Sequence, residues 1–216
     1  MKVLIVADEE SRYLWDHYAP GRLDGIDMIF SCGDLKQEYL EFLVTMSNRP
    51  CYYVPGNHDK GYVSFPPEGC ECVDDRIVDV QGLRILGLGG CIRYNQGPYQ
   101  YTEREMKRRI RKLRWKLWRA GGVDIVLTHA PPHGYGDAPD RAHLGFSCFL
   151  PLMEKYRPMY LFHGHVHPNY GYNLPKTQQY SETIIMNTVG WQILDIEPRK
   201  REKLPVIGRF RHDKKV

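Results

Sequence analysis

The sequence predicts an α/β fold in which two packed sheets are flanked by helices. Three observations carry this expectation. Short continuous apolar runs bounded by turn residues recur along the chain, and such runs read as buried strands. Segments with apolar residues at helical spacing alternate with them through the first half. Many of the apolar runs end in a block of Asp, Asn or His, and in open α/β sheets that carboxyl edge is where ligands bind.

Taken in order, Val3-Leu4-Ile5-Val6-Ala7 gives a strand near 2–7 that delivers Asp8. A helix is expected near 11–18. A strand near 26–32, carrying Ile29-Phe30-Ser31-Cys32, leads into Gly33-Asp34. Leu35, Tyr39, Phe42, Leu43 and Met46 fall at helical spacing and predict a helix over 36–48. A strand near 51–54 opens the turn Gly56-Asn57-His58-Asp59, and short strands near 76–80 and 83–88 follow. The stripe Met106, Ile110, Leu113 and Leu117 predicts a helix over 102–119 with one buried face. A strand near 123–128 leads into Thr128-His129. After the Gly- and Pro-dense loop from Ala130, a helix is expected near 145–156. A strand near 159–163 ends in His163-Gly164-His165-Val166-His167. The end reads as antiparallel strands near 183–187 and 191–196, with a third near 204–210. The chain reads as a single domain over 1–216, whose basic segment 197–216 is an edge strand plus a frayed tail.

A length of 216 residues fits one domain of ordinary size, and a hydrophobic fraction of 42% is enough for a sizeable core. The net charge of +4 is too mild to define a class of partner. No apolar run has the ~20 residues of a membrane-spanning helix, and the apolar start is too short for a signal peptide. The six cysteines do not read as a disulfide framework: Cys32 and Cys51 fall in predicted buried strands, and Cys70-Glu71-Cys72 has no second pair nearby. A reducing cytoplasm is the simplest location.

Asp8, Asp34, Asn57, His129, His165 and His167, gathered at one edge, would be costly without cations. Buried carboxylates repel one another, and desolvation disfavours their charged forms. Mixed imidazole, carboxylate and amide donors suit first-row divalent ions. Asp34 is the natural bridge between two of them, because Gly33 lets the backbone turn sharply beside it. Two ions roughly 3.5–4 Å apart form a clamp for in-line displacement at phosphorus.

These blocks, in this order and each after a predicted strand, resemble the calcineurin-like metallophosphoesterase superfamily over residues 8 to 167. The resemblance implies a four-layer α-β-β-α sandwich of two mixed sheets flanked by helices. It implies two divalent metal ions, Mn first, with Fe, Zn, Co or Ni as alternatives. Asp8, Asp34 and His167 resemble ligands of the first ion, and Asp34, Asn57, His129 and His165 ligands of the second. The implied activity is hydrolysis of phosphomono- or phosphodiesters by a hydroxide held between the ions. His58 resembles the group that protonates the leaving oxygen, and Asp59 the carboxylate that orients it; the plain alternative for Asp59 is a turn residue. The chain departs from the usual Asp-x-His of the first block with Asp8-Glu9-Glu10. Glu10 is either a carboxylate ligand of the first ion or, with Glu9, part of a helix's first turn.

Around the site, Arg93 is a candidate for a bidentate contact to a substrate phosphate. His133, Asp137, Arg141 and His143 are candidates for the substrate rim, and the string from Thr128 to Gly145 is similar to the cyclic-nucleotide-phosphodiesterase-like branch. His163 reads as structural. The expected partner is a small phosphate-ester substrate. The basic face of the 102–119 helix reads first as solvated surface and the basic tail first as a fraying terminus, and both read second as contacts to nucleic-acid backbone. Trp115 and Trp118 fall partly off the apolar stripe, so they either pack on a neighbour or form a functional patch. Two other readings stand beside the phosphoesterase: a nuclease using the same metals, and a catalytically weak scaffold, against which the retained His58 argues. Oligomeric state is left open, and no membrane association is expected.

Overall fold

Short apolar runs form strands where the sequence places them, and the alternation of their side chains sorts the core into layers. The computed structural model describes residues 1–168 and 174–199. In chain order the elements are β1 (Lys2–Ala7), β2 (Met28–Ser31), α1 (Gln37–Ser47), β3 (Cys51–Tyr53), β4 (Cys70–Cys72), β5 (Ile77–Val80), β6 (Leu83–Leu88), β7 (Cys91–Ile92) and β8 (Gln100–Tyr101). Then come α2 (Glu103–Arg119), β9 (Ile125–Thr128), α3 (Phe149–Tyr156), β10 (Tyr160–His163), β11 (Thr177–Tyr180), β12 (Thr183–Asn187) and β13 (Gly190–Asp195).

The first sheet has the order β13-β1-β2-β3-β4, and the second β11-β12-β10-β9-β6-β5. Both are mixed. β1 to β4 run parallel with β13 antiparallel at the edge. In the second sheet β6, β9, β10 and β12 run parallel, with β5 and β11 antiparallel at the edges. Val3, Ile5, Ala7, Met28 and Phe30 of the first sheet meet Leu83, Ile85, Leu127 and Phe162 of the second in the central layer. The opposite side chains of the first sheet, Leu4, Val6 and Ile29, pack on Tyr39, Leu40 and Leu43 of α1. Those of the second sheet, Leu86, Val126 and Leu161, pack on Met106, Leu113 and Leu117 of α2 and Phe149 and Met153 of α3. A period of two along each strand is what lets one strand serve both layers. The result is the expected α-β-β-α sandwich.

Helix ends are stabilised by identifiable groups. Thr102 and Glu105 form a capping box at the start of α2. Glu103 accepts hydrogen bonds from the backbone N–H groups of Ser147 (3.0 Å) and Cys148 (2.6 Å) at the entry to α3. That entry explains why α3 begins at Phe149 rather than near 145: Gly145 is wedged against the Pro132 and His133 backbone, where a Cβ would lie 2.5 Å from the Pro132 carbonyl carbon.

Three expectations are corrected. Residues 11–18 form turns, not a helix. Aromatic Tyr13, Trp15 and Tyr18 are middling helix formers, Pro20 and Gly21 follow at once, and the segment is held by Leu14 and by the Trp15–Tyr39 ring contact at 5.3 Å. The strands near 183–187 and 191–196 do not pair with each other. β12 lies parallel to β10 in the second sheet and β13 antiparallel to β1 in the first, so the chain crosses between sheets at Gly190, whose φ is 81°. Arg109, counted with the basic face of its helix, is buried and paired with Asp74 and Asp75. Its charge ties α2 to the loop before β5. The strand expected near 204–210 and most of segment 197–216 lie outside the described residues. No helix among the described residues is long and apolar enough to cross a membrane.

Candidate metal centre

Parallel strands put their carboxyl ends along one edge, and the polar blocks follow those ends. Asp8 follows β1, Gly33-Asp34 follow β2, Gly56–Asp59 follow β3, His129 follows β9 and Gly164–His167 follow β10. Backbone bonds lock the loops together, from Asp8 N–H to the Gly33 carbonyl (3.1 Å) and from Gly164 N–H to the His129 carbonyl (2.9 Å). Asp8, Asp34 and His165 have φ of 61°, 56° and 68°. Side chains rarely adopt this left-handed conformation, and it concentrates at functional sites. Glycine beside them is a steric requirement. A Cβ on Gly33 would lie 2.4 Å from Gly56 N, and one on Gly164 2.0 Å from Asp8 Oδ2.

At the centre, His129 Nε2 lies 3.0 Å from Asn57 Oδ1, 3.1 Å from His165 Nδ1 and 3.2 Å from Asp34 Oδ2. The other ring nitrogens settle the tautomers. His129 Nδ1 faces the Cys32 carbonyl at 2.8 Å, and His165 Nε2 faces the Ala142 carbonyl at 2.8 Å. Each of those nitrogens must donate, which leaves His129 Nε2 and His165 Nδ1 as lone pairs in the neutral rings. With both rings neutral, two imidazole lone pairs, an amide oxygen and a carboxylate oxygen point at one spot. A cation satisfies all four, and this donor set fits a first-row divalent ion. Asp34, His129 and His165 place their donor atoms within 4.8 Å of one another.

The electrostatics agree. Burial would depress His129, but the Asp34 and Asp8 carboxylates push it up to about 10; a proton there occupies the place a metal would take. Burial would raise Asp34, but the charge and hydrogen bond of His129 bring it down to about 2. Burial and His129 together drive His165 down to about 3. Burial lifts Asp8 to about 7 despite His129.

The second group of donors is looser. His167 Nε2 lies 3.6 Å from Asp8 Oδ1, and Asp8 itself accepts from the His165 N–H at 2.9–3.0 Å. The carboxylate that reaches His167 is Glu9, whose Oε1 lies 3.1 Å from His167 Nδ1. Glu10 turns the other way and accepts from the Lys36 N–H at the start of α1, 3.0 Å away. The sequence alone offers Glu9 only a place in a helix's first turn. The signal that separates the pair is Asp8's left-handed turn, which the sequence does not display.

His58 is exposed and lines a cleft of about 370 Å³ with Asp34, Lys36 and Tyr62. Its backbone N–H donates to Asp34 Oδ1 at 2.8 Å, and its ring makes no hydrogen bond to a described residue. Asp59 does not touch that ring. Its Oδ2 accepts from the Asp34 N–H (2.8 Å) and the Gly56 N–H (2.7 Å), so it fixes the two loops that carry Asp34 and Asn57. Burial and Asp34 lift the Asp59 carboxyl to about 6.

Arg93 is not turned to the centre: it pairs with Glu105 at 2.9 Å and donates to the Gln100 carbonyl. Its neighbour Tyr94, in the bend after β7, is, with its hydroxyl 3.2 Å from Asn57 Nδ2. On the rim, His133 pairs with Asp137 at 2.8 Å. His143 pairs with Asp140 and packs its ring on His165, with centroids 5.2 Å apart. His163 is buried and outside the cluster, its Nδ1 3.0 Å from the Gly164 carbonyl.

Comparison with known proteins places this geometry. The profile of the calcineurin-like phosphoesterase family matches residues 7–169. The chain belongs to that family. It is 26% identical over 160 residues to a Haemophilus influenzae protein, covering 56% of this chain and 63% of that one. It is 29% identical over 103 residues to a Caenorhabditis elegans UPF0046 protein, covering 46% of this chain and 24% of that one. The chain thus spans less than two thirds of the curated relatives it matches. Among solved structures, TT1561 of Thermus thermophilus superposes with a TM-score of 0.56 at 14% identity, over 88% of this chain and 89% of that one. A putative 5'-nucleotidase from Staphylococcus aureus superposes with a TM-score of 0.50 at 10% identity, over 91% of this chain and 51% of that one. At such identities the likeness is one of fold.

Proposed function

We propose that the chain is a dinuclear metal-dependent phosphoesterase acting on small phosphomono- or phosphodiesters, working in a reducing cytoplasm. The observation that carries the reading is the convergence of Asn57 Oδ1, His165 Nδ1 and Asp34 Oδ2 on His129 Nε2. Divalent ions held by these residues and by Asp8 and His167 would supply Lewis acidity toward phosphoryl oxygens and water. Hydrolysis forms one P–O bond from water and breaks the ester P–O bond, and the leaving oxygen then needs a proton. His58 would give it: the side chain is exposed in the cleft beside Asp34, and imidazole is the side chain most often used for proton transfer near neutral pH. Asp59 acts through the backbone, by holding Asp34 and Gly56 in register. Mn is the first choice of metal, since Glu9 brings a further carboxylate oxygen beside His167 and Asp8, and added oxygen donors favour a harder ion.

The test is hydrolysis of p-nitrophenyl phosphate and of bis(p-nitrophenyl) phosphate, with elemental analysis of the purified protein. Activity that EDTA abolishes and Mn restores is expected. A protein that takes up no transition ion and cleaves neither ester would end this reading.

A further inference from the structure

The metal centre does not account for the surface at the far end of α2. There a groove of about 820 Å³ runs between α2 and the end of α3, lined by Arg111, Lys112, Arg114, Trp115, Trp118 and Lys155. Trp115 is 68% exposed and Trp118 62%, and the two rings stack with centroids 4.8 Å apart and planes inclined by 27°. Neither belongs to the buried stripe of the helix, which is Met106, Arg109, Leu113 and Leu117. Packing therefore does not explain them; tryptophan is enriched at interfaces, and an exposed apolar patch rimmed by polar residues is a mark of an interaction site. Arg111, Lys112, Arg114 and Lys155 are all exposed, and none forms an ion pair with another described residue; Lys155 instead lies over the Tyr156 ring at 5.3 Å.

We propose that this groove binds single-stranded nucleic acid, with bases on the indoles and backbone phosphates on the surrounding cations. Cations that track a phosphate backbone beside aromatic rings that accept base faces are the two parts such a site needs. The other occupants match less of it. A second copy of the chain would bring like charges face to face across a two-fold axis. A lipid surface would meet a concave wall rather than a projecting one. An acidic peptide satisfies the cations and leaves the indole faces without flat partners. A duplex keeps its bases stacked inside. The groove is separate from the metal edge: Gly121 and Gly122 lead into the amino end of β9, while His129 leaves its carboxyl end. A four-residue strand rising about 3.3 Å per residue alone sets them some 13 Å apart. The proposal is therefore independent of hydrolysis.

The test is fluorescence anisotropy of a fluorescein-labelled oligodeoxythymidylate titrated with the full chain in EDTA, beside quenching of the intrinsic tryptophan emission. Binding with quenching is expected, weakening as salt rises. Trp115→Ala and Trp118→Ala should each weaken binding about tenfold while leaving the circular dichroism unchanged. Arg111→Gln and Lys112→Gln should each lower the salt slope by about 0.7. Binding that these variants leave untouched would overturn the proposal. So would equal affinity for polyphosphate, preference for a duplex of the same sequence, or binding to phosphatidylserine vesicles with indifference to the oligonucleotide. Because metal is absent throughout, failure here and failure of the esterase reading are separate results.

Discussion

His129 Nδ1 lies 2.8 Å from the Cys32 carbonyl oxygen, and this contact decides which nitrogen faces the cluster. Cys32 directly follows β2 and Gly33 comes next, so the loop after a strand of the first sheet holds in place an imidazole that the second sheet supplies. His129→Ala removes the hub of the donor set. Outer partners of metal ligands cost about 10–100-fold when removed, so losing the ligand itself should weaken Mn binding by about 100-fold or more. Titration calorimetry with Mn would measure it, and an affinity within tenfold of the parent would contradict the assignment.

In the metal-free protein, Asp8→Asn should be stabilising. Burial lifts the Asp8 carboxyl from 3.8 to about 7, so the folded chain holds a proton that the unfolded chain has released. That group favours folding below pH ~4, and the contribution is lost as pH rises through about 7, a change on the order of 4 kcal/mol. Asparagine keeps the acceptor for the His165 N–H without the charge. In EDTA, the variant's melting temperature should gain on the parent's between about pH 5 and pH 8. Added Mn should narrow the difference, because the parent alone keeps the full donor set of the first ion, worth about 2.7 kcal/mol at a hundred times Kd. Parallel melting curves at both pH values would refute this.

His58→Ala should keep its metal and lose turnover by about 10²–10⁴-fold. The loss should be steepest for alkyl phosphates, whose leaving oxygen needs a proton, and smallest for p-nitrophenyl esters. Equal losses across leaving groups would remove the acid role.

Glu9 and Glu10 should separate cleanly. Glu10→Ala takes away the acceptor at the start of α1 and should cost about 1 kcal/mol of stability, with metal content unchanged. Glu9→Ala frees His167 from its partner and should weaken metal binding about tenfold or more with little change in melting temperature. If it is Glu10→Ala that releases metal, the carboxylates have the opposite roles.

Legibility from the sequence followed the range of the interactions. The strand runs and α2 are set by local apolar period and capping, and they appear where the pattern puts them. The residues at the centre of the site were legible because each follows a strand end. The segment 11–18 was not, because its aromatic spacing imitates a helix while its partners, Tyr39 and Trp191, lie far along the chain. The choice between Arg93 and Tyr94, and between Glu9 and Glu10, turns on which way one residue of a bent or left-handed backbone points. That is decided by tertiary contacts and not by composition.

β13 lies against β1 along its full length, from Lys2 beside Asp195 to Ala7 beside Gly190. A ribosome releases β1 long before its outer neighbour. Until then the leading strand has an unpaired margin, and Asp8 at its tip awaits the His165 amide from 157 residues downstream. Contacts of such separation form slowly. Ion uptake should thus wait for that strand, and a nascent chain stalled before Gly190 should emerge unable to retain a divalent ion.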